Sequence, residues 1–393
     1  MTQDRATELV HHAYRPPAGF EAPQPAVHKA STVIFDSVAA LRARDWRHKS
    51  GYTYGLHGTP TTFTLEARIA TLEGGRHCVL APSGLAAIAL VDQALLAQGD
   101  ELLLPENAYG PSRDFARHEL ARWGIAHRLY DPMDAASLAQ SIGPRTKLVW
   151  LEAAGSVTME FPDLAALVAV ARAAGVTTAL DNTWGAGVAF NGFALGIDIV
   201  MQALTKYPSG GGDVLMGSVV TRDDALAERL KLTHMRLGLG VAGNDAELLL
   251  RSLPSLPLRY AAQDGAARTL AAWLATRPEV RRVLHPALPG APGHAYWQAH
   301  CTAAAGLFSV LLDDRYSAAQ VDAFVDGLRL FRIGYSWAGP VSLVVPYELS
   351  QLRPAEARAR DGLHGPLVRF SLGLESVADL QADLEAALAS ALA

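Results

Sequence analysis

The two residues best suited to chemistry in this chain are a lysine and an aspartate, each of which follows an apolar run. Lys206 comes after the largely apolar residues 199–204 and precedes the glycine-rich turn at 209–213. Burial at the end of a strand lowers the pKa of a lysine, so that its neutral amine can act as a nucleophile or form a Schiff base. A lysine that reaches past the strand end into solvent gives the same pattern. Lys206 alone therefore leaves both interpretations open.

Asp181 favours the first interpretation. It follows the apolar run at 176–180 and lies upstream of Lys206. A carboxylate is unfavourable at the mouth of an apolar strand unless a cation lies there. The pyridinium nitrogen of pyridoxal phosphate is such a cation, and enzymes that use this cofactor combine a Schiff-base lysine with an acidic partner for that nitrogen.

A candidate phosphate site precedes both residues. The strand-like run at 77–81 leads into Ser83 and Gly84, and from Leu85 onward the sequence predicts an Ala-rich helix. The free N–H groups and the positive end of the helix dipole make such a turn suitable for a phosphate. Ser-Gly before a helix is also an ordinary N-cap. Its position ahead of the aspartate and the lysine is what completes a cofactor site.

Short motifs follow one another along nearly the whole chain. They are YGLHGTPT at 54–61, LEGG at 72–75, NAYGPS at 107–112, LEAAGS at 151–156, DNTW at 181–184, TKY at 205–207, HPALPG at 285–290 and YSW at 335–337. In this order they resemble the Cys/Met-metabolism family of fold-type I pyridoxal phosphate enzymes. Within that family, the bacterial cystathionine beta-lyases are the most similar branch.

The resemblance implies an α/β protein of the aspartate aminotransferase-like fold type I. A mostly parallel seven-stranded sheet with helices on both faces would be joined by a smaller α+β C-terminal domain. The alternation of helical and strand-like stretches over 59–253 also predicts such a sheet, with ligands at the carboxyl ends of its strands. Prolines within 15–17 and 22–25 predict that residues 1–58 form an extended arm, which would contact a partner subunit. Residues 254–393 would form the C-terminal domain.

For the cofactor, the resemblance implies that Lys206 forms the Schiff base and then moves protons at the substrate. Asp181 would keep the ring nitrogen protonated, and Tyr109 would stack on the ring and assist the proton transfer. The residues that would bind the phosphate are Ser83, Gly84, Leu85 and Thr205.

For the substrate, the resemblance implies that Arg369 binds the carboxylate with its bidentate guanidinium. An arginine within an alternating apolar strand is itself unfavourable without a fixed anion. Ser336, Trp337 and Asn182 would line the same end of the site. Tyr54 would reach across a dimer and act near the Schiff base of the partner subunit.

The chain departs from the family pattern at two places. Leu56 stands where the family carries an arginine that reaches the partner's phosphate, so His57, Arg68 or another cation would have to compensate. Gly211 and Gly212 replace larger polar residues after the lysine. Neither departure removes a residue of the Schiff-base chemistry, so we expect an active enzyme.

The implied reaction is the α,β-elimination of L-cystathionine to homocysteine, pyruvate and ammonia, a step of methionine biosynthesis. The shared motifs leave open a cystathionine gamma-lyase or gamma-synthase, and a broader cysteine-conjugate or cystine lyase. A catalytically inactive binding protein is a more remote alternative, which Leu56 alone supports.

Composition agrees with an enzyme acting on a small sulfur amino acid. The 393 residues suffice for two domains, and half of them are hydrophobic. A net charge of −5 without basic runs argues against a nucleic-acid partner. No apolar stretch approaches the roughly 18 residues that span a membrane. With only two cysteines, we expect a cytoplasmic protein. We expect no metal. The family implies a homotetramer built from dimers that share active sites.

Overall fold

The structure of the protein is a computed structural model that describes residues 5–12, 18–20, 22–46, 49 and 51–392. Its helices are α1 (Arg5–Val10), α2 (Val38–Arg42), α3 (Pro60–Glu73), α4 (Gly84–Leu95), α5 (Gly110–Phe115), α6 (Ala135–Ser141), α7 (Leu164–Ala173), α8 (Asp224–Leu237), α9 (Gly243–Ser252), α10 (Leu256–Leu274), α11 (His294–His300), α12 (Ala318–Gly327), α13 (Leu349–Leu352), α14 (Ala355–Arg360) and α15 (Val377–Ala391). Its strands are β1 (His77–Ala81), β2 (Glu101–Pro105), β3 (Ala126–Tyr130), β4 (Thr146–Glu152), β5 (Thr177–Asp181), β6 (Ile199–Ala203), β7 (Gly217–Thr221), β8 (Val280–Leu284), β9 (Leu307–Leu312), β10 (Arg332–Ile333), β11 (Leu343–Tyr347) and β12 (Leu367–Ser371).

The larger sheet has seven strands in the order β1-β7-β6-β5-β4-β2-β3. Only β7 runs antiparallel to its neighbours, so the predicted mostly parallel seven-stranded sheet is confirmed. Successive residues of a strand enter different hydrophobic clusters: Val149 and Leu151 of β4 pack into one, Leu148 and Trp150 into another. Because side chains alternate across a strand, this pattern shows that both faces of the sheet are covered.

The smaller sheet has the order β10-β11-β12-β9-β8. Its strands pair antiparallel except for β10 with β11, and α12 packs against α15 beside it. The aromatic rings of Phe308 and Phe370 stack at its centre, with centroids 5.4 Å apart. The predicted α+β arrangement after α10 is therefore present, while the exact domain limits at 58 and 253 stay a prediction. No helix in the described ranges is long and apolar enough to cross a membrane.

The N-terminal arm is less extended than its prolines predict. Helix α1 buries Leu9 completely and contacts α3. Further along, Thr61 of α3 accepts a hydrogen bond from the backbone N–H of His28 at 2.8 Å and donates one to the carbonyl of Ala26 at 3.1 Å. Part of the arm is thus fastened to the body of the same chain. The prolines within 15–17 lie outside the described residues.

The two sheets bring the candidate site together. Strands β6, β5 and β4 lie side by side and end at the same edge, where Glu152 pairs in register with Asp181 and Asp181 pairs with Met201. Strand β12 of the smaller sheet supplies Arg369. Lys206 lies three residues beyond the end of β6, in a turn closed by hydrogen bonds such as Lys206 N–H to the Ala203 carbonyl at 3.1 Å. The lysine is therefore held by a turn and not by the strand itself.

Candidate active site

A cavity of about 510 Å³ opens where the carboxyl ends of β4, β5 and β6 face the smaller sheet. It contains most of the predicted site residues. Those that line it are Ser83, Gly84, Leu85, Tyr109, Asp181, Thr205, Lys206, Ser336, Trp337 and Arg369. An apolar cleft with a few convergent polar groups is typical of a small-molecule site.

Lys206 is held between two side chains of the segment that follows β10. Its Nζ lies 2.6 Å from Ser336 Oγ and 5.3 Å from the centroid of the Trp337 ring. Burial, assisted by the positive charge of Arg369, lowers the pKa of Lys206 from 10.5 to about 8, although Asp181 opposes the change. At pH 7 about one tenth of this amine is therefore neutral and nucleophilic, far more than for an ordinary lysine.

This pKa gives a pH-dependence prediction. The protonated amine cannot attack an aldehyde, so we expect the rate at which cofactor-free protein captures pyridoxal phosphate to rise with pH. The rate should reach half its maximum near pH 8 and then level off. Stopped-flow absorbance measures it directly. A rate that keeps rising to the pKa of an ordinary lysine, about 10.4, would show that Lys206 is not desolvated.

Asp181 is a half-buried acid that forms no ion pair in the described part of the chain. Thr183 donates to its Oδ1 twice, from the hydroxyl at 2.5 Å and from the backbone N–H at 2.9 Å. The Thr183 hydroxyl is fixed in turn by the N–H of Ala203 in β6, at 2.9 Å. Burial raises the pKa of Asp181, while these hydrogen bonds and Lys206 oppose the rise. These contacts hold the carboxylate in one orientation. A positive charge bound beside it would stabilise its ionised form.

The first turn of α4 is the helix N-terminus that the sequence predicts to bind the phosphate, and we call it the phosphate cradle. Ser83 caps the helix, since its Oγ accepts a hydrogen bond from the N–H of Ala86 at 3.1 Å. At the N-terminus of a helix, the first N–H groups have no acceptor within the helix and attract anions. Gly84 packs so closely on β6 that a Cβ there would lie 2.6 Å from Cβ of Ala203. This contact sets the helix N-terminus beside the turn that holds Thr205.

The close contact between Gly84 and Ala203 predicts that a methyl group at position 84 weakens cofactor binding. In Gly84→Ala the added Cβ must displace the end of β6 or the helix, and such overpacking costs about 1–3 kcal/mol. We therefore expect the Kd for pyridoxal phosphate to rise by roughly 5- to 150-fold, as measured by equilibrium dialysis. Gly265→Ala is the matched control, because a Cβ at that helical position meets nothing within 4 Å. Equal affinities of the two variants for pyridoxal phosphate would contradict the prediction that the N-terminus of α4 binds the phosphate.

Arg369 lies in β12 and is only 7% exposed. Its Nη2 donates to the carbonyl of Ser336 at 3.2 Å, and its guanidinium lies 5.3 Å from the ring centroid of Tyr347. Its Nε is buried and has no hydrogen-bond partner in the structure. Burial lowers the pKa of Arg369, but an arginine stays charged in proteins. A buried cation with a free donor fits an incoming carboxylate.

Nearly the whole chain is similar in sequence to known proteins. The family model for the Cys/Met metabolism PLP-dependent enzymes matches residues 6–389. The chain belongs to this family. It is 38% identical to the cystathionine beta-lyase of Salmonella typhimurium over 369 residues, which cover 92% of each chain. The cystathionine beta-lyase of Bordetella avium is 42% identical over 366 residues, covering 92% of this chain and 90% of the relative.

A solved structure agrees at the level of the fold. The cystathionine gamma synthase of Xanthomonas oryzae pv. oryzae, in complex with cystathionine, superimposes with a TM-score of 0.91 at 32% identity and covers 100% of this chain and 99% of its own. As a member of the family, the chain is a pyridoxal phosphate-dependent carbon–sulfur lyase.

The residues present fit the cofactor. A desolvated carboxylate that forms no ion pair with the described residues suits a pyridinium nitrogen, and a desolvated lysine suits an aldehyde. The close approach of α4 to β6 places free N–H groups for a phosphate between them.

Two predicted site residues do not lie at the cavity of this chain. Asn182 is fully buried, and its Nδ2 donates to Glu73 Oε2 at 2.8 Å. Asp181 faces the cavity, and the side chain of the next residue points away from it. The structure therefore does not bring Asn182 to the substrate end. Tyr54 lies in the arm with its ring edge-on to His57, so its predicted role in a partner subunit stays a prediction.

The surroundings of Leu56 supply no replacement cation to the cavity of the same chain. His57 pairs with the hydroxyl of Thr53 at 2.8 Å, and Arg68 is buried in α3. Neither residue lines the cavity. After the lysine, Gly212 has a φ of +73°, a conformation that favours glycine and accounts for the small residue there.

The cavity also contains residues that the sequence analysis assigned no role. These are Glu152 at the end of β4, Tyr347 at the end of β11, and the arginines Arg113 and Arg353. Arg353 is buried and donates to Glu160 Oε1 at 2.8 Å. Glu152 could have been found, because it ends a strand just as Asp181 does. The two arginines could not have been found, because only the packing of α5 and of the segment after α13 brings them to the cavity.

Proposed function

We propose that this enzyme catalyses the α,β-elimination of L-cystathionine to homocysteine, pyruvate and ammonia. The observation that carries the proposal is the position of Lys206, whose amine is desolvated beside Ser336 and Trp337 and near the buried Arg369. The relatives named cystathionine beta-lyase support the same reaction. A similar fold that binds cystathionine supports the substrate.

Several residues would hold the cofactor. Asp181 would bind the ring nitrogen, and Tyr109 would cover a face of the ring. Ser83, Gly84, Leu85 and Thr205 would bind the phosphate. When bound, pyridoxal phosphate supplies an electron sink that acidifies the substrate α carbon.

Side chains of the protein bind the substrate and transfer the protons. Arg369 binds and orients the substrate carboxylate, and Ser336 holds Nζ of Lys206 in place. Lys206 takes the proton from the α carbon. The bond between the β carbon and sulfur then breaks, and sulfur leaves with the electron pair and takes the proton that Lys206 carries. The remaining three-carbon enamine is released, takes up water and gives pyruvate and ammonia. A pKa near 8 suits this work, because both protonation states of the amine are available close to neutral pH.

The assembly is part of the proposal. Tyr54 would assist the proton transfer in a partner subunit, since it lies in the arm and away from the cavity of its own chain. The arm also carries exposed apolar side chains, among them Phe20 and Ile34, which favour a subunit contact. A homotetramer of site-sharing dimers in the cytoplasm fits these features.

A gamma-acting enzyme is the second candidate. The cystathionine gamma synthase that superimposes on this chain favours it, because the lysine and the acid serve both reactions. Discrimination by one methylene group is worth only about 1–3 kcal/mol, so substrate selectivity between the two reactions can rest on small differences in the pocket.

The substrate range tests the proposal. Purified enzyme loaded with cofactor is given L-cystathionine, L-cystine, or an activated homoserine ester together with L-cysteine, and kcat/KM is measured for each. We expect the highest value for cystathionine with release of a keto acid. Formation of cystathionine from the ester and cysteine as the preferred reaction would replace the proposal by the gamma-synthase.

A further inference from the structure

Glu152 is a second acid beside Asp181. The two residues end neighbouring parallel strands and pair in register, and both line the cavity. Neither forms an ion pair in the described part of the chain. Two carboxylates this close rarely ionise together, because each charge raises the pKa of the other group.

The hydrogen bonds distinguish the two acids. Asp181 receives two donors from Thr183 on one oxygen. Glu152 receives one, from the backbone N–H of Tyr109 to Oε2 at 2.7 Å, and its Oε1 makes no hydrogen bond to any described residue. Asp181 is thus the better stabilised anion. Glu152 keeps one oxygen free on the side of the cavity.

The charged and titratable groups around Glu152 are Asp181, Tyr109, Tyr130, Arg113 and Arg353. The two arginines are engaged elsewhere: Nη1 of Arg113 donates to the carbonyl of Leu352 at 2.8 Å, and Arg353 pairs with Glu160. Burial, followed by the negative charge of Asp181, raises the pKa of Glu152 well above its usual range, and the Tyr109 N–H and the charges of Arg113 and Arg353 only partly oppose the rise. Geometry and electrostatics agree that Glu152 carries the proton of the pair.

The order of the strands locates Glu152 relative to the cofactor. The phosphate cradle lies against the end of β6, Asp181 ends β5, and Glu152 ends β4, one strand further on. In pyridoxal phosphate, the edge of the ring away from the phosphate arm carries a methyl group and the phenolic oxygen, and of these two only the oxygen accepts a hydrogen bond. We propose that Glu152 is a proton-bearing carboxylic acid that donates a hydrogen bond to the phenolic oxygen of the bound cofactor.

The proposal explains why an acid lies at this edge. The phenolic oxygen of the bound cofactor carries negative charge, so an ionised glutamate would repel it, whereas a neutral carboxyl group stabilises it. Glu152 would thereby tune the acidity of the cofactor. The inference rests on the proposed place of Asp181 at the ring nitrogen and does not depend on which thiol leaves.

Cofactor binding tests this without substrate. In Glu152→Gln a neutral donor remains, so the Kd for pyridoxal phosphate and the pH midpoint of the visible absorbance should match those of the wild type. In Glu152→Leu the donor is lost; we expect the Kd to rise about 3- to 10-fold and the midpoint to move up by about 0.5–1 pH unit. Glu385→Gln, at an exposed acid of α15, is the control.

Two results would overturn the proposal. If Glu152→Gln is as impaired as Glu152→Leu, the site needs an ionised carboxylate; if Glu152→Leu behaves like the wild type, there is no hydrogen bond. Infrared difference spectra of wild type and Glu152→Gln decide the matter even if the leucine variant does not fold, because a protonated carboxyl band supports the proposal and a carboxylate band contradicts it. Asp181→Asn reports separately on the ring nitrogen, since it should alter the cofactor spectrum whatever the state of Glu152.

Discussion

Replacement of Lys206 by alanine is expected to lower kcat/KM for elimination by about 10²–10⁴-fold or more, the range for loss of a positioned acid–base group. The variant lacks the one amine in the described cavity, and no other lysine lines it. The measurement is the rate of keto-acid release at saturating cofactor. Thermal stability should not fall, because the substitution removes a desolvated amine whose single described hydrogen bond goes to Ser336.

Lys147→Ala is the matched control for this variant, because Lys147 lies in β4 but is exposed. Its activity should equal that of the wild type. Small primary amines added to Lys206→Ala should restore part of the rate, since they can take up the proton that Nζ carries. Full activity without added amine would contradict the assignment of Lys206.

Replacement of Arg369 by methionine should give the second largest loss. Removing one partner of a buried, hydrogen-bonded charge pair costs about 2–5 kcal/mol, which corresponds to roughly 30- to 4,000-fold in kcat/KM. In the absence of substrate, Arg369 is a buried cation without a carboxylate partner in the described residues. Because an unpaired buried charge is destabilising, the methionine variant should unfold at the same or a higher temperature than the wild type.

The conservative variant sharpens the test. Arg369→Lys keeps the charge but loses the bidentate geometry, so its activity should lie between wild type and Arg369→Met. Arg332→Met changes an exposed arginine of the same sheet and should be neutral. An Arg369→Met enzyme that loses stability and activity together would indicate a structural role in place of carboxylate binding.

The fold was largely accessible from the sequence. Strands buried on both faces read as continuous apolar runs, so β1 at His77–Ala81 and β5 at Thr177–Asp181 could be located closely. Polar residues that end such runs, above all Asp181, pointed to the cavity because parallel strands end at one edge of a sheet. The arm was the exception, since the prolines gave no sign that Leu9 would be buried.

The site could be predicted only in part, and the reason is side-chain direction. Asp181 and Asn182 are adjacent in the sequence, yet one faces the cavity and the other donates to Glu73 on the opposite side. Glu152 acquires its environment from Tyr109 and Asp181, which lie far from it in sequence. Such contacts depend on how strands and loops pack, and no local pattern in the sequence records them.

The α,β-elimination itself is tested most directly with L-cystathionine labelled with ¹³C in its three-carbon, cysteine-derived half. The holoenzyme is incubated with this substrate, and the products are separated and identified by mass spectrometry. For α,β-elimination we expect all of the label in pyruvate and no label in the homocysteine released. Label in free cysteine, together with unlabelled 2-oxobutyrate, would show cleavage on the other side of sulfur and contradict it.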